Sequence, residues 1–484
     1  MNVLRVPLVM VTASAAMGAF ALAAPREDLV GPASTSSSIA GMSTTAATTA
    51  SLAQAAFDRM TPAQRVGQLF MVGTPVTGIS PATASLVTRY HVGNVILTGR
   101  TTSGAPPVRA LTARADTLTT GAATAGVPVF VATDQEGGYV QVLQGPGFSR
   151  MPTALTQGTW SDTTLAGKAS TWGGQVRRSG VDVDLAPVMD TVSAAFAPQN
   201  APIGRYDREY GHTPSVVADK GTTFLRAMRS RDLAMTAKHF PGLGRVTGNT
   251  DTTAGVTDRV TTRTSADLVP FRAAVAAGAR FVMVSSAYYA KIDPHNPAVF
   301  SPTVVTGMIR GDLAFRGVVV SDDLSNARQV QAWTAGSRAL KFLDAGGDLV
   351  LAVNPATVPA MVSAVMSRYQ SSASFRARAE ASVLRVLQAK AAEGLLAPRL
   401  SADGHLGSVT VTALQRWLGV TRTGRLDATT VRALQRRVGT VADGVWGPAS
   451  MAALQSYLGT YRDGAGTWNS RTVTLLQRYL NTQL

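Results

Sequence analysis

Leu233-Ala234-Met235-Thr236-Ala237 is a short apolar run, and Lys238-His239-Phe240-Pro241-Gly242 follows it without a break. A strand buried on both faces reads this way, with a few apolar residues and then an abrupt polar cluster where the chain leaves the sheet. Working outward, the same switch recurs where Val127 to Ala132 meets Asp134-Gln135-Glu136-Gly137-Gly138, and where Gly317 to Val320 meets Ser321-Asp322-Asp323-Leu324. Five further runs (Leu69 to Val72, Asn94 to Leu97, Val181 to Leu185, Arg280 to Val284 and Asp348 to Leu351) bring the total to eight, separated by segments of helical length. Eight βα units within residues 51–397 predict an α/β protein, a (β/α)₈ TIM barrel whose site lies at the C-terminal ends of the strands.

Composition limits the chemistry available there. The chain has 484 residues, 45% hydrophobic and 15% charged, enough apolar content for a large core. Absence of cysteine excludes disulfide scaffolds, thiolate metal sites and thiol nucleophiles. The charge of +16 comes mostly from scattered Arg, without a basic stripe interleaved with aromatics, so no nucleic-acid partner is expected. Five His without H-x-x-x-H or H-E-x-x-H spacing give no metal site, and no cofactor is implied. One rim Asp is as readily a helix N-cap as a functional group. Three polar rim clusters of carboxylates, Lys and His point instead to polyol recognition with acid/base or covalent chemistry on a sugar.

The two ends read differently. Residues 1–23 combine Arg5, an apolar run from Val6 to Leu22 and Ala21-Leu22-Ala23, the pattern of a secretory signal peptide. The expected location is therefore extracellular, without stable membrane insertion after cleavage. Residues 24–50, rich in Ser, Thr, Ala and Gly, read as a flexible tether. Over 400–484 a repeat appears, with Leu-Gln pairs at Leu414, Leu434, Leu454 and Leu476, each preceded by a Gly turn and a Ser or Thr at a helix start. This predicts a small all-α repeat domain. Trp446 and Trp468 within it are read equally as core or as a ligand platform.

The barrel strings resemble the single-domain β-N-acetylglucosaminidases of glycoside hydrolase family 3. The resemblance rests on Val66-Gly67-Gln68-Leu69-Phe70, Asp134 to Gly138, Asp184-Leu185-Ala186-Pro187-Val188, Lys238 to Gly242, Ser321 to Leu324 and Ala345-Gly346-Gly347-Asp348. It implies that Asp322 is the nucleophile of a retaining mechanism, that Asp134 holds sugar hydroxyls, and that Lys238 and His239 bind the sugar beside it. It further implies a sugar-binding Arg after the fourth strand, for which Arg208 fits and Arg205 is a rival. Asp323 is expected to be structural. The tail resembles the peptidoglycan-binding domain of bacterial wall hydrolases, implying a cell-wall partner.

Departures from the family pattern are informative. The family's acid/base His and the Asp that orients it are replaced by Asp251 and Asn249 in Leu243-Gly244-Arg245-Val246-Thr247-Gly248-Asn249-Thr250-Asp251. An imidazole needs a carboxylate to fix its tautomer and a carboxylic acid does not, so the paired change assigns Asp251 as general acid/base. Two alternatives stay open here: an impaired site with a solvated Asp251, or a moving loop that lets Glu136 or Asp207 act as the acid. Tyr139 stands where the family usually has Arg, near the sugar's outer face.

The expectation is thus a secreted, wall-associated, monomeric exo-β-N-acetylglucosaminidase acting by hydrolysis on peptidoglycan or chitin fragments. The other readings are a saccharide-binding protein on an impaired barrel and a β-glucosidase of the same family.

Overall fold

A computed structural model of the chain describes residues 36–396 and 400–483. The eight expected strands are present: β1 (Phe70–Pro75), β2 (Asn94–Thr98), β3 (Phe130–Thr133), β4 (Val183–Asp184), β5 (Ala234–Phe240), β6 (Phe281–Val284), β7 (Val318–Ser321) and β8 (Val350–Ala352). They pair in parallel in the order β7-β6-β5-β4-β3-β2-β1-β8. A parallel bridge between Val320 and Leu349 links β7 to the start of β8, and Leu324 N–H donates to Leu351 O at 2.9 Å, so the sheet closes on itself. The barrel interior holds Met71, Ile96, Phe130, Val183, Phe281, Val318 and Leu351, while a larger apolar cluster fills the space between strands and surrounding helices. At its N-terminal end the ammonium of Lys390 is buried, donating to Gln68 Oε1, Gly93 O and Pro128 O at 2.8 Å each. Three acceptors replace the water this group loses.

The signal-peptide expectation, residues 1–23, lies outside the described residues, as does the start of the expected tether. Residues 36–50, read as tether from their small polar composition, belong instead to the helix Ser36–Arg59. Alanine is the strongest helix former, and Ala53, Ala56 and Phe57 further along the same helix are buried.

The tail forms the predicted helices, Ser408–Leu418, Ala428–Val438, Pro448–Tyr457 and Ser470–Gln483, around Leu414, Leu434, Leu454 and Leu476. The Gln of each Leu-Gln pair explains the repeat. Gln415 accepts from Gly424 N–H at 2.9 Å and donates to Thr423, Arg425 O and Thr430, pinning the next Gly turn to its helix, and Gln435 does the same around Gly444. Gln477 reaches back to Gly404, Asp403 and Thr410, so the last unit closes onto the first. Trp446 and Trp468 stack with centroids 4.4 Å apart and pack on this core.

Candidate active site

The C-terminal ends of the strands surround a cavity of about 400 Å³ lined by Asp134, Arg208, Lys238, His239, Asp251 and Asp322, among others. All six residues singled out from the sequence therefore meet in one place. Arg205 is exposed and does not line it.

One wall is an ionic network. Lys238, at the end of β5, places Nζ 2.7 Å from Asp134 Oδ1 and 2.6 Å from Glu136 Oε1. Arg208 grips Glu136 with two parallel bonds, Nε to Oε2 at 2.9 Å and Nη2 to Oε1 at 2.8 Å, and its Nη1 donates to Pro202 O. Two cations facing two carboxylates neutralise each other, which is why such groups tolerate burial. Burial favours the neutral acid in Glu136, but Arg208 and Lys238 overcome it and hold the carboxyl well below the usual range. In Lys238 burial opposes the charge, and Asp134 with Glu136 restores it, raising the pKa. Below the network, burial pushes Asp184 up to about 8, against the hydrogen bond from Gln135 N–H and the pull of Lys238, with Asp134 and Glu136 adding to the rise. This carboxyl is neutral near pH 7 and adds no further negative charge.

His239 follows Lys238, and its Nδ1 lies 2.7 Å from Asp190 Oδ2. A carboxylate only accepts, so Nδ1 carries the proton and Nε2 is left for a ligand. Asp190 was not singled out from the sequence. The available signal was its position just after the Asp184 to Val188 string, where a further buried carboxylate follows the strand.

The opposite wall carries Asp322 and Asp251. Asp322 follows β7, is half-buried, and takes the Asp323 N–H on Oδ1 at 2.9 Å. Asp323 accepts from Ser325 N–H and Oγ–H, Asn326 N–H and Val353 N–H, so its carboxylate is engaged in holding the β7 and β8 loops together.

Asp251 lies on the loop after β5, in an Asx turn where its N–H donates to Asn249 Oδ1 at 2.9 Å. Its side chain faces both the cavity and solvent. Partial desolvation, then the neighbouring Asp322 and Asp323, push the carboxyl up to about 6, with His239 and Arg208 pulling the other way. The loop is fastened along its length. Asn200 Nδ2 holds Leu243 O and Val246 O at 2.8 Å each, Arg328 N–H donates to Asp251 O at 3.0 Å, and Gln329 N–H donates to Thr250 O at 3.0 Å. The Gln329 side chain also bonds both backbone groups of Val256. These ties favour a fixed acid over a moving loop. Of the rival acids, Glu136 is held ionised and has no proton to give, and Asp207 does not line the cavity.

Residues 61–389 match the sequence profile of the glycosyl hydrolase family 3 N terminal domain. A β-hexosaminidase of Stenotrophomonas maltophilia (strain K279a) is 37% identical over 249 residues, covering 50% of this chain and 72% of that protein. One from Xanthomonas axonopodis pv. citri (strain 306) is 32% identical over 308 residues, covering 62% and 88%. The crystal structure of a β-N-acetylhexosaminidase from Beutenbergia cavernae DSM 12333 superimposes with a TM-score of 0.68 at 47% identity, over 69% of this chain and 99% of that one. The family match stops short of the helical repeat. Through its barrel and the residues gathered at its mouth, the chain belongs to glycosyl hydrolase family 3.

Proposed function

We propose that this glycoside hydrolase, of the β-N-acetylhexosaminidase type, is a retaining exo-acting β-N-acetylglucosaminidase that is secreted and trims peptidoglycan or chitin-type fragments. The observation that carries the reading is Asp322 and Asp251, whose carboxyl is pushed up to about 6, in the lining of a cavity that also holds Asp134, Lys238 and Arg208 of the ionic network. Asp134, Lys238, Arg208 and His239 bind the hydroxyls of the terminal sugar, and Glu136 braces the two cations. Asp322 attacks the anomeric carbon while Asp251 gives its proton to the departing oxygen, which breaks the glycosidic bond and leaves a glycosyl ester on Asp322. Asp251, now ionised, takes a proton from water, and that water displaces Asp322 to release the sugar with its original configuration. An anionic Asp251 at this stage repels phosphate, which supports water as the acceptor.

The test is the pH profile of kcat/KM for a β-N-acetylglucosaminide whose leaving group needs protonation. The donating form of Asp251 is the protonated one, present below its pKa of about 6, so kcat/KM is expected to fall as pH rises through about 6. A flat profile from pH 5 to 7.5 would remove Asp251 from the acid role. Silence at every pH would favour the saccharide-binding reading.

For the tail the proposal is a second contact with wall polymer, raising the local substrate concentration. The full chain, with its cavity saturated by N-acetylglucosamine, is expected to co-sediment with insoluble peptidoglycan. Recovery in the supernatant would end the wall-binding role.

A further inference from the structure

Two large aromatic side chains stand exposed on loops that also supply cavity residues. Tyr139 is 58% exposed and Tyr206 is 43% exposed, although most aromatic rings of the barrel are buried. They arrive from different loops, Tyr139 at the tip of the hairpin formed by Gln135–Gly137 and Val140–Gln141, and Tyr206 at the end of the turn Gly204–Tyr206. They nevertheless meet edge to face, with centroids 5.8 Å apart and planes at 68°. The Arg100 side chain donates to the Tyr139 carbonyl and steadies the hairpin tip. Val140, next to Tyr139, and Arg208, two residues after Tyr206, both line the cavity, so the pair stands on loops that form its rim.

Depth decides which part of a substrate reaches the pair. Lys238 and His239, which line the cavity, are 2% and 6% exposed, so these sugar-binding groups lie at the buried end. A terminal sugar held there leaves whatever is attached to its anomeric oxygen to pass outward through the mouth. An exposed aromatic face suits the apolar C–H face of a pyranose, covering surface that water otherwise solvates poorly.

We propose that Tyr139 and Tyr206 form the leaving-group subsite, a platform for a second pyranose ring, so that the enzyme selects glycosides of sugars over glycosides of simple alcohols. This rests on the hydrolase reading above. It makes the pair a determinant of substrate class and gives it no part in bond breaking.

The test compares kcat/KM of the full-length protein for chitobiose and for methyl β-N-acetylglucosaminide, which share the terminal sugar and differ in the ring beyond it. In Tyr139→Ala and in Tyr206→Ala the ratio of the two values is expected to fall about fivefold to tenfold. Tyr139→Trp, which keeps an aromatic face, should hold the ratio near that of the wild type. An unchanged ratio in both alanine variants would overturn the platform, whether the two activities fall together or stay as they are. A wild type inert on both glycosides would overturn the hydrolase specificity itself, and the platform with it.

Discussion

Asp322→Ala is expected to lower kcat on an aryl β-N-acetylglucosaminide by about 10⁴-fold or more, the order reached when a covalent nucleophile is removed. KM should change little, because the cavity residues proposed to bind the sugar come from other strands: Asp134 follows β3, Arg208 follows β4, and Lys238 lies near the end of β5. The carboxylate position is fixed from the backbone, with Asp322 N–H donating to Val284 O at 3.1 Å, so an alanine there leaves the loop in place. A fluorinated N-acetylglucosaminyl donor whose ester hydrolyses slowly should add the mass of one sugar to the peptide carrying Asp322 in the wild type. Labelling elsewhere, or a loss under tenfold in Asp322→Ala, would move the nucleophile to another residue.

Asp251→Ala should separate the two halves of the reaction. With a good leaving group such as dinitrophenolate, no proton is needed to form the glycosyl ester, so that step survives, while ester hydrolysis loses its base. Turnover is expected to drop by about 10² to 10³, with a lower KM because the ester accumulates. Azide needs no deprotonation and, lacking the repulsion of the Asp251 carboxylate, should restore turnover and yield the β-glycosyl azide. With a poor leaving group azide should give no rescue, since bond cleavage itself then lacks its acid. Equal losses for both leaving groups together with indifference to azide would place the acid/base elsewhere, and His239, fixed by Asp190 and lining the same cavity, would be examined next.

The barrel was legible because its signal is local. Each strand is a short apolar run ended by a polar cluster, and each of the eight observed strands overlaps its expected run, with shifts at the ends. The rim residues were legible for the same reason, since a strand end carries its functional groups with it. Partnerships were less so. Arg208 and Glu136 lie 72 residues apart and Lys238 and Asp134 lie 104 apart, and they meet only once the sheet has closed. Glu136 reads in the sequence as an acid that a moving loop could bring into play, and its two cationic partners make it an ionised strut instead. Gln329 carries no chemical signature at all, and its part in fastening the Asp251 loop depends on two rim loops coming together. The tail repeat was visible in its spacing, and what the sequence left out was the closure of the last Gln onto the first turn.

The first helix of the tail sits against the end of the barrel remote from the cavity. Arg422 donates to Gly394 O, and Arg416 and Arg422 act electrostatically on Asp116 and on Asp182, which precedes β4. The helical repeat and the cavity therefore occupy opposite ends of the barrel. On the proposal that the tail grips wall polymer, the mouth would stand clear of the gripped surface, cropping loose chain ends that drift past or stand on a facing layer and leaving its own mooring uncut.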